Sequence, residues 1–191
     1  MRNPWLDLPD ASPYVLPSDR FDVDDFNAEL EVSARCRIPV RDVIPEPFAG
    51  AVKSAPVVIL QLNPGIDPTK IKLHMERSYR AALLANLRLE SSEWPFYFFD
   101  PRFRDSQPGG GWWMKRTRRL TEIISLDQLS QRLAVVEWFP YRSPRFRRGC
   151  SVASQGYGFF LVSEAIDRGA LIIVSRSLDL WEDSVPLLRQ Y

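Results

Sequence analysis

The stretch Pro56-Val-Val-Ile-Leu-Gln-Leu-Asn63-Pro64-Gly65-Ile66-Asp67-Pro68 constrains the fold more than any other. From Pro56 to Leu62 nearly every side chain is apolar, and Val57, Val58 and Ile59 are β-branched. Such a run between turn residues predicts a strand buried on both faces. It ends abruptly at Asn63-Pro64-Gly65. Pro64 drives Asn63 toward an extended backbone, and Gly65 can take positive φ. The amide of Asn63 is thereby held at the carboxyl end of a central strand, the edge at which open parallel sheets bind ligands. Taken alone, the tripeptide reads first as a plain strand-exit turn.

Two further apolar runs predict buried strands: Leu133 to Phe139, broken by Pro140, and Ala170 to Val174. Helical patterns lie at residues 69–90, 113–125 and 154–168, and a last helix is predicted from a Ser177 cap to Pro186. Strands alternating with helices give an α/β chain with a mainly parallel sheet. Right-handed crossovers then gather the strand exits on one edge. Asn63, the loop from Tyr141 to Arg148 and Ser175-Arg176 meet there. The aromatic run Trp94-Pro-Phe-Tyr-Phe-Phe-Asp100 is a further strand, the wall of a base-stacking slot, or core packing. The loop Pro108-Gly-Gly-Gly111 can offer free amides to a phosphate, but it lacks the Lys-Ser/Thr ending of a nucleoside triphosphate loop.

Residues 1–55 carry seven prolines, which oppose long helices. They are expected to form an arm laid on a domain spanning residues 56–191. One short helix is predicted from Asp22 to Val32, and Trp5, Tyr14, Phe21 and Phe48 are the candidate anchors. The segment Ile44 to Gly50 leads into the central strand.

Net charge is +1, so overall charge makes no argument for a polyanion partner. Its distribution says more: the arm has ten acids and six bases, whereas residues 102–148 have eleven bases and four acids. That is either a polyanion footprint or two solvated faces. The loop after the second strand holds Arg142, Arg145, Arg147 and Arg148 with two aromatics, a pattern that suits phosphates and stacking or an exposed basic loop. Cys36, Cys150 and the sole histidine, His74, cannot build a Cys/His zinc site. His74 reads as a structural histidine within a helix. No signal peptide and no membrane-spanning apolar run is present, so a soluble cytoplasmic chain is expected.

The residues Leu60-Gln61-Leu62-Asn63-Pro64-Gly65 resemble the first motif of the uracil-DNA glycosylase superfamily. The likeness is to the mismatch-specific and single-strand-selective branches, whose strand ends in Asn-Pro-Gly; Gln61-Leu62 replaces the usual glycine. Leu133 to Ser143 resembles the strand that ends in the base-reading residue, here Glu137. Residues 171–181 resemble a later strand with its tryptophan-bearing helix.

This resemblance implies a three-layer α/β/α fold that extrudes a base and hydrolyses its N-glycosidic bond without a cofactor or a metal. DNA or a nucleotide is the implied partner. Asn63 is the implied catalytic residue, with Gln61, Pro64, Gly65, Glu137 and Tyr141 as substrate-binding candidates. Arg142, Arg145, Arg147 and Arg148 are the nucleic-acid candidates. Asn63 can position a water but cannot act as a strong base, since an amide does not titrate near neutrality. An ionised Glu137 accepts hydrogen bonds but donates none, which departs from the usual Asn reader. The family's second motif, a His- or Asn-led loop after another strand, has no counterpart before Tyr191. The domain is therefore expected to be truncated or to have lost that wall. A catalytically silent binding protein on the same fold is the alternative.

Overall fold

The computed structural model describes residues 1–105 and 110–191, the side chains of Lys70 and Leu73 excepted. Its centre is an open four-stranded sheet of β1 (Phe48–Gly50), β2 (Val57–Gln61), β3 (Leu133–Glu137) and β4 (Leu171–Val174), in the spatial order β1-β3-β2-β4. β2 runs parallel to β3 and β4, and β1 runs antiparallel to β3. The fold is α/β, and the three long apolar runs are its parallel strands. The register sets Leu60 beside Val136 and Gln61 beside Glu137.

Burial differs along the sheet. β3 is buried at all five positions. In β2 only Val58 and Leu60 are fully buried. β4 leaves Leu171 54 % and Ile173 43 % exposed. Among the three long apolar runs, burial on both faces therefore holds for β3 alone. β4 lies at the sheet edge, and one of its faces is left partly in solvent.

The helices are α1 (Arg20–Ala28), α2 (Arg77–Leu87), α3 (Gly110–Thr117), α4 (Leu126–Arg132), α5 (Gln155–Asp167) and α6 (Leu178–Ser184). α5 lies close against β3: a Cβ on Gly158 would stand 3.5 Å from Val136 Cγ1. Gly50 ends β1 at φ +93°, and a Cβ there would stand 2.4 Å from the Leu133 carbonyl oxygen. Only glycine fits that strand end.

Several expectations need correction. The fourth strand is Phe48–Gly50, not the aromatic run, whose residues Tyr97–Phe99 form a 3-10 turn. Phe96, Tyr97, Phe98 and Phe99 all point into the core. The helix expected over 69–90 is split, because Glu76 is extended at ψ 130°. A 3-10 turn, Pro68–Met75, precedes α2. Asp67 Oδ1 opens that turn by accepting from Thr69 N at 3.0 Å and Thr69 Oγ1 at 2.7 Å. The helix expected over 113–125 is the shorter α3, and α4 was not foreseen. Of the glycine loop, Pro108 and Gly109 lie outside the described residues, and Gly110 and Gly111 open α3. Ser177 precedes α6 at φ 52°, but its side chain makes no cap bond.

The first 55 residues enter the core. Trp5, Tyr14 and Phe48 are buried, as are Val23 and Phe26 on the inner face of α1. Phe21, an expected anchor, is instead 79 % exposed on the outer face of that helix. Tyr141 ties this region down: its hydroxyl accepts from Leu16 N at 3.1 Å and donates to Asp19 at 2.8 Å.

Candidate active site at the strand exits

The strand order reverses about β2: the chain passes to β3 on one side and then returns to β4 on the other. Open α/β sheets form their ligand crevice beyond the carboxyl ends at such a reversal. The exits of β2 and β3 continue side by side, with Trp138 N donating to Gln61 O at 3.2 Å and Phe139 N to Leu62 O at 2.9 Å. On the other flank, Ser175 donates from both N and Oγ to Leu60 O, each at 3.0 Å. Asn63 is half-buried between them. Its Nδ2 donates to Ser143 Oγ at 3.1 Å and, more weakly, to Ser143 O at 3.4 Å. Oδ1 has no donor assigned among the described residues. An amide fixed through nitrogen in this way presents its oxygen as an acceptor.

Beside this exit lies a buried polar cluster. Glu46, in the segment before β1, accepts at one carboxylate oxygen from both Arg142 Nη2 and Tyr97 OH. Arg142 is 3 % exposed and also donates to Ile44 O at 3.2 Å and Gly65 O at 3.0 Å. One guanidinium thus joins the residues before β1, the Asn-Pro-Gly turn and the loop after β3. Tyr79 on α2 sits in the field of this pair, and the His74 ring meets it edge-on at 5.5 Å.

The electrostatics follow from burial. Burial raises Glu46 to about 7, against the opposing charge and hydrogen bond of Arg142. Burial raises Glu137 well above the usual carboxylate range, the charge of Glu46 adds to that, and Arg142 and Arg176 oppose it. Burial lowers His74 to about 3, and the Arg142 charge acts in the same direction. The upward shift favours the protonated form of Glu137, which carries one O–H donor and a remaining acceptor. Its Oε2 and both His74 nitrogens are buried without a hydrogen-bond partner among the described residues.

The candidate residues separate into three groups. Asn63, Gln61, Pro64, Gly65 and Glu137 cluster at the exits; Gln61 is half-buried, Pro64 buried and Gly65 exposed. Tyr141 and Arg142 are not surface groups: they are 1 % and 3 % exposed, and their polar atoms are committed within the fold. The sequence placed both in a loop, but ring contacts of Tyr141 with Trp5 and Phe139 and the pairing of Arg142 with Glu46 draw them inward. Arg148 is exposed and pairs with Asp179 at 2.8 Å. Arg145 and Arg147 are exposed, with no ion pair among the described residues. Glu46, Tyr79 and Tyr97 were missed. The available signal was Glu46 itself, a charge between Pro45 and Pro47 inside an apolar segment.

Two clefts mark the surface. One of about 660 Å³ lies between residues 32–42 and the turn residues Ile66, Pro68 and Ile71. Another, of about 430 Å³, is walled by Lys53, Asn86 and Trp94. Neither is lined by Asn63 or Glu137. Among the described residues no group of three or more His, Cys, Asp or Glu side chains can hold a metal ion, and no helix is long and apolar enough to cross a membrane. No protein-family model, curated protein or solved structure matches the chain.

Proposed function

We propose that the strand-exit site hydrolyses an N-glycosidic bond, with Asn63 positioning the water and Glu137 holding the base. The observation that carries this reading is the orientation of Asn63, pinned through Nδ2 to Ser143 Oγ at 3.1 Å so that Oδ1 is left to accept from a water. In such a reaction the base departs as an anion from an oxocarbenium-like sugar. The site must hold the nucleophilic water and stabilise charge on the leaving base. In its protonated form, which burial favours, Glu137 supplies a donor and an acceptor together, as an amide does. That removes the mismatch expected of an ionised carboxylate and suits a base edge with adjacent carbonyl and N–H groups.

The test is release of free base from oligonucleotides carrying uracil, hypoxanthine or mismatched bases. Wild type is expected to release base, and Asn63→Ala to lose roughly 10²-fold or more in rate, as for loss of one preorganised polar group. No release from any of these substrates would sink the proposal. A second reading, a catalytically silent nucleic-acid or nucleotide binder, is favoured by one observation: neither cleft reaches Asn63. It predicts salt-sensitive binding without base release, weakened by Arg145→Gln and Arg147→Gln.

A further inference from the structure

α3 and the turn after it present a surface that the strand-exit site does not use. Gly110, Trp113 and Thr117 face inward, and Trp113 packs on Phe96 at 5.0 Å. The opposite side carries Trp112, Lys115, Arg116 and Arg119 at helical spacing, all exposed. The chain keeps coiling past the helix end, with Leu120 N and Thr121 N both donating to Thr117 O. Arg118 flanks the stripe. No acid occurs from Gly110 to Thr121, and Glu122 is the next in sequence. Lys115, Arg116, Arg118 and Arg119 form no ion pair among the described residues. The Arg116 guanidinium lies 4.1 Å from the centroid of the Trp112 ring, which is 42 % exposed.

Four cations crowded on one short face repel each other, and an external polyanion relieves that repulsion. Guanidinium groups match phosphate geometry, and an exposed indole beside a guanidinium is a platform for an unpaired base. We infer that this face binds single-stranded nucleic acid, with phosphates on Lys115, Arg116, Arg118 and Arg119 and a base on Trp112. Leu120 and Ile123, 44 % and 80 % exposed, raise an anionic lipid surface as the competing partner. Interfacial helices segregate apolar from basic side chains, however, whereas here Trp112 and Arg116 are stacked on one another. The inference uses neither Asn63 nor Glu137, so it stands or falls apart from the glycosidic proposal.

The test is fluorescence anisotropy of labelled single-stranded DNA and RNA across a salt series, beside sedimentation with phosphatidylserine vesicles. The proteins are wild type, Trp112→Ala, the pair Lys115→Gln with Arg119→Gln, and Ile123→Ser. Wild type is expected to bind oligonucleotides, and Trp112→Ala to weaken binding about tenfold. The charge pair should reduce the slope of log K against log salt by about 0.7 for each phosphate that is no longer neutralised. Ile123→Ser should change neither. All four changed side chains are exposed, and matching thermal unfolding curves establish that the variants fold. Unchanged oligonucleotide affinity and slope in both binding variants would overturn the inference. So would binding to vesicles alone, abolished by Ile123→Ser. Oligonucleotide binding without base release would leave this inference intact and remove the glycosidic one.

Discussion

At the scale of single residues, the fold turns on Arg142. It is sealed from solvent and joins Glu46, Ile44 O and Gly65 O. Breaking a buried pair from one side strands the other charge, and Arg142→Met is expected to cost about 3–5 kcal/mol in urea unfolding. Adding Glu46→Leu should restore part of that loss, since no uncompensated charge remains; simple additivity of the two losses would contradict the pairing. The same cluster sets the dependence of stability on pH. Glu46 is raised from 4.5 to about 7 in the fold, so its contribution is full below pH 4.5 and is lost as pH climbs to about 7. Glu137, also raised by burial, has the same sign. His74 has the opposite sign: lowered from 6.5 to about 3, it gives stability above pH 6.5 that disappears as pH falls toward 3. Between pH 4.5 and 6.5 the two carboxyls outweigh the one imidazole, and thermal midpoints should fall as pH rises across that window. Glu137→Gln should make the decline shallower; an unchanged slope would mean that the fold does not raise Glu137.

At the scale of elements, both edges of the sheet are closed by side chains rather than by further strands. On β1, Asn86 Oδ1 accepts from Gly50 N at 3.1 Å and Nδ2 donates to Phe48 O at 2.7 Å. On β4, the Tyr191 hydroxyl accepts from Ile172 N at 3.3 Å and donates to Ala170 O. Unpaired strand edges recruit other edges, and these contacts occupy part of the groups that would do so. Asn86→Ala leaves a buried amide and carbonyl without partners and is expected to lower stability by about 1–3 kcal/mol. Tyr191→Phe uncovers an edge that already shows the exposed side chains of Leu171 and Ile173. Sedimentation velocity should then detect concentration-dependent self-association; a strictly monomeric variant would show that the edge is protected by something other than this hydroxyl. The two plugs also show what local pattern can and cannot reveal. The runs that became β2, β3 and β4 carry their signal within themselves, as largely apolar stretches that include β-branched residues. β1 is three residues long and becomes a strand only because Val136, remote in sequence, pairs with Phe48. No window around Phe48 contains that information.

At the scale of the whole molecule, the limits of local pattern have one common cause. Asn63 was legible as a strand-exit amide because its neighbours dictate the turn. The buried fates of Tyr141 and Arg142 were not, because they depend on Asp19 and Glu46, which lie in the proline-rich first third of the chain. That region reads as an arm, yet it supplies β1, the carboxylate facing Arg142 and a large share of the core. Asp19 is 0 % exposed and accepts from Tyr141 OH and from Ser154 N, while Leu16 N donates back to the Tyr141 hydroxyl. These bonds cross more than a hundred residues of sequence, so local opening of residues 14–19 must break bonds to the loop after β3. Opening of this region should therefore carry nearly the free energy of global unfolding. Native-state hydrogen exchange tests this directly. The amides of Tyr14, which donates to Val40 O at 2.7 Å, and of Val23 should be as protected as those of β2 and β3. Tyr141→Phe strands Leu16 N and removes one Asp19 partner, a loss of about 1–3 kcal/mol, and it should lower protection in both regions by the same amount. If the amides of Tyr14 and Val23 exchange early while Leu60 and Val135 keep their protection, the first third peels away on its own, and the sheet owes its stability to residues after 55.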